Sequence, residues 1–321
     1  MAKLSRQDRE AIARRRILSV LTTQVVATTR TIEQKIADAG PGHLRIDPHI
    51  LTPVKARLIR EGRVVSLSRK NAQWLHVAEE SPDRVARRLS ELTAIWSEFT
   101  NKAVTDRMGD ALEIAVFRAM VAADGVTPFN GFHDLNTPND RGRYSKEELK
   151  TFNGRSLGRE ALDFIAAAGG EYAGIEVKNV REWLYPDRAE IKNAIRKALA
   201  LGVIPVIVAR RIPYVTFHVL GRCGVVMHQN YNQLMSEMDR EIAAKAADKN
   251  LLGYHDLRVG DEPDRRMTKF IGENLPSLLP KARAKVEEHL LALERFATNA
   301  IEYNEFVAIT GGRKSEGWQS I

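Results

Sequence analysis

Residues 161–180, ALDFIAAAGGEYAGIEVKNV, constrain the fold more than any other stretch of the chain. Two apolar runs flank Gly169-Gly170, a dipeptide suited to the positive backbone angles of a two-residue hairpin turn. Side chains alternate along a strand, so Ile175 and Val177 turn to a core while Glu176 and Lys178 share the other face. The first run carries an acid of its own, Asp163. An ionised carboxylate among Leu162, Phe164 and Ile165 needs a compensating charge, hydrogen bonds or a metal. The Glu176–Lys178 pair is thus either an ion pair on one face or half of a catalytic site.

Competing occurrences sharpen the choice. Glu-x-Lys stands at 33–35, 148–150, 176–178 and 190–192. Three of these lie in helical or polar surroundings, where positions i and i+2 do not face each other. Only EVK follows a strand with an isolated acid. If the hairpin pairs as written, Asp163 and Glu176 converge, and two such carboxylates repel unless a cation separates them. All-oxygen ligation suits Mg²⁺ or Mn²⁺. Lys178 could then help activate a water or neutralise charge developing on a phosphate. A third acid precedes them: in GDALEIAVFRAM, Glu113 falls on the helical stripe of Gly109, Val116, Phe117 and Met120, where an apolar side chain is expected. It is either part of the same site or a boundary glutamate paired with a nearby arginine.

The surrounding order is α/β: two strands, the helix DRAEIKNAIRKALALG, the strand VIPVIVARR and a further strand in VTFHVLGRCGVVMH. On that helix Lys192, Arg196 and Lys197, with Arg210 and Arg211 after its strand, could touch phosphates, and an exposed basic face is the plainer reading. Residues 130–160, rich in Gly, Asn and charge, form a loop longer than a connection requires. Residues after about 231 read as mostly helical.

At the N-terminus a first helix runs through RQDREAIARRRILSVL. A second is signalled by TIEQKIADAG, where Thr31 and Gln34 have capping-box spacing and Gly40 stops it. The third lies in DPHILTPVKARLIREG, with Pro53 either beginning it or sitting inside a longer helix that starts at Asp47. RVVSLSRKNAQWLHVA reads as a hairpin around Ser68–Asn71. Three helices followed by a basic-tipped hairpin resemble the winged helix-turn-helix family over residues 5–78. That resemblance implies DNA contact by the third helix and the wing, and so by Lys55, Arg57, Arg60, Arg69 and Lys70. Winged helices also serve as protein–protein modules.

Charge distribution agrees with a polyanion partner. Residues 1–78 hold 15 Lys and Arg against 6 Asp and Glu, a net +9, whereas residues 79–321 hold 34 against 35, a net −1. A solvated basic surface is the plainer alternative. The single cysteine, Cys223, cannot pair within the chain, and Cys and His show no zinc spacing. No signal-peptide core and no run of about 18 apolar residues occurs. The expectation is a cytoplasmic protein with no membrane association.

Glu113, Asp163, Glu176 and Lys178, with the element order around them, resemble the PD-(D/E)XK nuclease superfamily over about residues 105–230. The resemblance implies a restriction-endonuclease-like mixed sheet flanked by helices. It implies Asp163, Glu176 and the Val177 carbonyl as Mg²⁺ (or Mn²⁺) ligands, Lys178 directed at the attacking water and Glu113 as an accessory acid. The proline that often precedes the first acid is replaced by Leu162. A similar joining of a winged helix to such a domain occurs in type IV restriction enzymes, so the implied activity is metal-dependent DNA cleavage in restriction or phage defence, with a structure-specific recombination, repair or transposition nuclease and a winged-helix regulator carrying an inactive nuclease-like domain as the alternatives. The expected organisation is a DNA reader over 1–80, a nuclease domain over 81–231 and a helical extension over 232–321. Double-stranded DNA is the expected partner, and two cuts per duplex imply a homodimer.

Overall fold

The computed structural model describes residues 5–37 and 46–311, and the chain divides into two units. The first takes Met1–Thr105 with Asp239–Leu257, and the second takes Asp106–Met238 with Arg258–Ile321. This differs from the expected division near residue 80 and from a separate extension over 232–321. The reason lies in α4 (Pro82–Phe99), whose Val85, Leu89 and Leu92 share one buried cluster with Val26 and Trp74. A helix that buries its apolar stripe on the N-terminal core cannot act as a linker.

In the first unit the order is α1 (Arg6–Gln24), β1 (Ala27–Thr28), α2 (Thr29–Ile36), α3 (Pro48–Arg60), β2 (Val64–Arg69) and β3 (Ala72–Val77). The three strands form a sheet in the order β1-β3-β2. Helix α2 begins three residues earlier than its capping-box spacing suggests. Thr28, leaving β1 in an extended conformation, accepts a hydrogen bond from the Thr31 amide at 3.0 Å. Thr31 and Gln34 are instead buried. The expected stop at Gly40 lies outside the described residues. Pro53 sits inside α3, which starts after Asp47, so the backbone bond it cannot donate is the one to the His49 carbonyl.

The β2–β3 turn is Lys70-Asn71, both at positive φ (51° and 57°). Two indoles hold it: Trp74 donates to the Arg69 carbonyl at 3.0 Å, and Trp96 of α4 donates to the Lys70 carbonyl at 3.1 Å. The two rings meet edge-on at 6.3 Å. Tertiary packing thereby fixes a lysine in a conformation that favours glycine. From the other end of the chain, α8 (Arg240–Ala247) packs on α4, and the Lys249 carbonyl accepts from Lys35 at 2.7 Å.

The second unit is built on a five-stranded mixed sheet. It begins with α5 (Lys102–Val121) and β4 (Val126–Pro128), passes through the short hairpin β5 (Thr151–Phe152) and β6 (Arg155–Ser156), and reaches β7 (Phe164–Ala168) and β8 (Glu171–Lys178). Helix α6 (Ala189–Leu201), β9 (Ile204–Ala209), α7 (Tyr214–Arg222) and β10 (Val226–Gln229) come next, so the strand expected over VTFHVLGRCGVVMH is a helix whose Thr216, Val219 and Leu220 are buried, followed by a strand of four residues. The sheet order is β10-β9-β8-β7-β4, with β8, β9 and β10 parallel and β4 and β7 antiparallel to their neighbours. Gly169 and Gly170 make the hairpin turn at φ 60° and 79°.

Helices cover both faces. Ala173, Ile175 and Val177 of β8 pack with α5 and with the first half of α10 (Leu275–Ala297), which continues α9 (Arg265–Lys269) through a π-helical turn. On the opposite face Ile165 packs with Ala198 and Leu201 of α6. The last helix, α11 (Tyr303–Ile309), closes a neighbouring cluster through Tyr303 and Phe306. Every residue of β9 is buried, as a central parallel strand with two covered faces requires.

Gly174 marks how closely α6 approaches β8. A Cβ there would lie 2.6 Å from Val203 Cγ2 and 2.7 Å from Leu162 Cδ1, both in the dry layer under α6. Gly174→Val should therefore lower unfolding stability by about 1–3 kcal/mol through overpacking. A urea midpoint equal to wild type would mean that these side chains can yield.

Candidate active site

The fork at the open end of the β7–β8 hairpin gathers the charged groups. The ladder pairs Phe164 with Ile175, and the next step would bring Asp163 opposite Glu176. There the Asp163 carboxylate intervenes, accepting the Val177 amide at 2.7 Å. A residue in an antiparallel strand sends its N–H and C=O to the same side. The Val177 carbonyl therefore lies on the Asp163 side of the fork.

Buried amides pin both strands here. Asn130 donates to the carbonyls of Asp163 and Glu147, each at 3.0 Å, and accepts from the Ile165 amide at 2.9 Å. Asn179 donates to the carbonyls of Met108 (2.6 Å) and Leu234 (2.7 Å), which anchors the end of β8. The carboxylates thus project from fixed backbone.

The expected face partners do share a side. Lys178 Nζ lies 2.7 Å from Glu176 Oε1 and 4.0 Å from Asp163 Oδ2, so one ammonium stands beside both carboxylates. Burial pulls the Lys178 pKa down, but Glu176 and Asp163 outweigh it, and the net shift is upward. Lys178 is accordingly a cation and hydrogen-bond donor at neutral pH, not a base.

Two lysines that sequence reasoning did not assign to the site complete it. Lys197 of α6, read as part of an exposed face, is buried. It donates to Glu176 Oε2 at 2.5 Å and to the Ala161 carbonyl at 2.8 Å. A signal was present: Ala194, Lys197 and Leu201 form an i, i+3, i+7 row on the buried side of α6. Lys146, from the long 130–160 segment, donates to Glu113 Oε2 at 2.5 Å, lies 3.5 Å from Asp163 Oδ1 and sits 4.5 Å from the Phe164 ring centroid. No periodicity marks it, because its segment is irregular. Lys192 turns instead to Asn299, Arg196 pairs with Glu160, and Arg210 and Arg211 are buried rather than exposed.

Glu113 is therefore drawn inward as its stripe position suggests, with Lys146 as its partner rather than an arginine. Burial and the Asp163 charge push its pKa up to about 7 against the opposing pull of Lys146. Asp163, Glu176 and Glu113 thus alternate with Lys146, Lys178 and Lys197 in one cluster. Among the described residues no group of three or more His, Cys, Asp or Glu side chains converges as a ready metal cage. A cation here would take Asp163, Glu176 and the Val177 carbonyl, completing its shell with water or substrate oxygens in the manner of Mg²⁺.

The expected nucleic-acid contacts divide. Arg60, Arg69 and Lys70 are exposed. Arg57 is half exposed and pairs with Glu10 at 3.1 Å. Lys55 departs from the expected outer face: it is partly buried against α2, donates to Thr29 Oγ1 at 3.3 Å, and burial lowers its pKa.

No protein-family model, curated protein or solved structure matches the chain. Among the described residues no helix is long and apolar enough to cross a membrane.

The raised Glu113 pKa gives a signed prediction. The contribution of this group is fully present below its unfolded value of 4.5 and declines as pH rises through about 7, because the folded state resists ionisation there. A shift of this size corresponds to a loss on the order of 3 kcal/mol. Glu113→Gln should lack that slope, so the difference in melting temperature between variant and wild type should move in favour of the variant between pH 5 and pH 8. Parallel pH profiles would contradict the assignment.

Proposed function

We propose that the protein is a metal-dependent DNA endonuclease of the PD-(D/E)XK type with a winged-helix DNA reader, acting in restriction or phage defence. The observation that carries this reading is the fork: Asp163 and Glu176 side by side, the Val177 peptide facing Asp163, and the Lys178 ammonium 2.7 and 4.0 Å from the two carboxylates. The first unit adds support. Its α1-β1-α2-α3-β2-β3 order, its β1-β3-β2 sheet and the exposed Arg60, Arg69 and Lys70 are what a winged-helix reader needs.

A bound Mg²⁺ or Mn²⁺ would supply an activated water and stabilise charge on the phosphate. Asp163, Glu176 and the Val177 carbonyl would hold it. Lys178, kept protonated by its two carboxylates, orients the attacking water and offsets charge at a phosphate oxygen. Asn130 and Asn179 keep the fork from spreading. The product would carry a 5′-phosphate, in line with the resemblance to this superfamily. Cutting a duplex requires two such sites, and Leu290 and Leu291 stand exposed on α10, 40% and 70%, where a second copy could pack.

One observation favours a second reading, a winged-helix DNA-binding regulator with an inactive nuclease-like unit. Glu176 is 5% exposed and both its oxygens are held by lysines. Supercoiled, linear, methylated and branched DNA, incubated with Mg²⁺ or Mn²⁺, separates the two. The nuclease reading expects cutting that Asp163→Ala and Lys178→Ala each reduce by at least about 10²-fold, the usual scale for a transition-state electrostatic contact. DNA binding without cutting or metal uptake would favour the regulator.

The reader makes its own prediction. Arg69→Ala and Lys70→Ala should weaken duplex binding by a similar factor on unrelated sequences, each lowering the salt slope by about 1, as expected for phosphate contacts. An unchanged slope in both variants would remove the wing from the interface.

A further inference from the structure

The geometry points to Lys146 as a built-in counter-ion that holds Glu113 and Asp163 together in the metal-free protein and gives up that place when a divalent cation binds. The inference rests on the nuclease reading and concerns a residue that the resemblance does not supply.

Charge balance motivates it. With all three carboxylates ionised, Glu113, Asp163 and Glu176 are matched by Lys146, Lys178 and Lys197, so the set is neutral before a metal is added. A divalent cation added to that set leaves two positive charges in excess within a partly dry site, and one ammonium has reason to withdraw. Lys197 is the least able to do so. It is carried by a helix, its side chain is 11% exposed, and it bonds both Glu176 and the Ala161 carbonyl. Lys178 is the closest cation to Glu176 Oε1 and rises from the central strand β8.

Lys146 differs from both. Its backbone is fixed, through the Phe132–Lys146 bridge and the bonds from His133 N to Ser145 O (3.1 Å) and from Glu147 N to Gly131 O (2.8 Å). Among the described residues its head is held by the two carboxylates, at 2.5 and 3.5 Å, and by the Phe164 and Phe132 rings, 4.5 and 5.9 Å to the centroids. The flexible stem can swing from a fixed base, and the rings can keep its methylenes as the ammonium leaves. A displaced Lys146 stays tethered beside the carboxylates, within reach of a phosphate oxygen brought to the same place.

Mn²⁺ binding followed by electron paramagnetic resonance, without DNA, tests this in wild type, Lys146→Met and Lys146→Arg. Methionine retains the packing on Phe164 and removes the charge. Removing an ammonium that stands 3.5 Å from Asp163 Oδ1 should tighten Mn²⁺ binding at least about tenfold in Lys146→Met, while Lys146→Arg binds no more tightly than wild type. A measurement on wild type alone guards against a poorly folded variant. Acylation of the Lys146 amine, read by mass spectrometry, should accelerate several-fold when Mn²⁺ is added.

Equal or weaker binding by Lys146→Met, or an amine whose reactivity ignores Mn²⁺, overturns the inference. If wild type still binds Mn²⁺ and cuts DNA, the inference falls alone. If neither wild type nor Lys146→Met takes up Mn²⁺, the metal-dependent reading falls with it.

Discussion

The hydrogen bond from the Val177 amide to the Asp163 carboxylate is the constraint on which the rest of the second unit depends. A hairpin ladder closes residue by residue until something ends it. Here an acid side chain takes the next donor, so the strands part while the backbone remains satisfied. The same bond fixes the carboxylate at the mouth of the fork, and Glu176 and Lys178 flank the amide that it grips. Asn130 performs a related task on the other edge of β7, where its side chain bonds the Asp163 carbonyl and the Ile165 amide. The fork is thus held by backbone and side-chain amides as well as by its charged groups.

Placing three carboxylates near a covered sheet is costly unless positive charge accompanies them. Desolvation costs several kcal/mol per buried ion, and breaking one partner of a buried pair costs roughly 3–5 kcal/mol. The fold meets this by drawing lysines from three unlike elements: a central strand, the helix packed over it and an irregular segment. Glu176 receives two of them, consistent with its near-complete burial. Glu113 has one lysine and a carboxylate neighbour, and burial together with the Asp163 charge raises its pKa.

In the first unit, shape depends on the two indoles that grip the hairpin turn. Lys70 and Asn71 adopt left-handed conformations with no glycine, and Trp74 and Trp96 bond the carbonyls of Arg69 and Lys70. Because Trp96 belongs to α4, the basic tip is braced by a helix that would otherwise serve only as a connector. The domain boundary therefore moves from near 80 to 105 for the same reason that the tip is rigid.

Local patterns in the sequence determined a good deal. Alternation and the Gly169-Gly170 turn gave the β7–β8 hairpin, its register brought Asp163 toward Glu176, and helical periodicity turned Glu113 inward; these depend on neighbours a few residues apart. The helix order and the hairpin over β2 and β3 were legible for the same reason. Tertiary structure alone decided the cap at Thr28, which depends on β1 pairing with β3, and the seat of α4 on Trp74. It also decided that Lys55 is half buried, that Lys197 points to Glu176 and that Lys146 reaches Glu113 and Asp163. These lysine contacts join residues 17 to 33 positions apart, where no periodicity carries information and only packing and the demand for charge compensation select a partner.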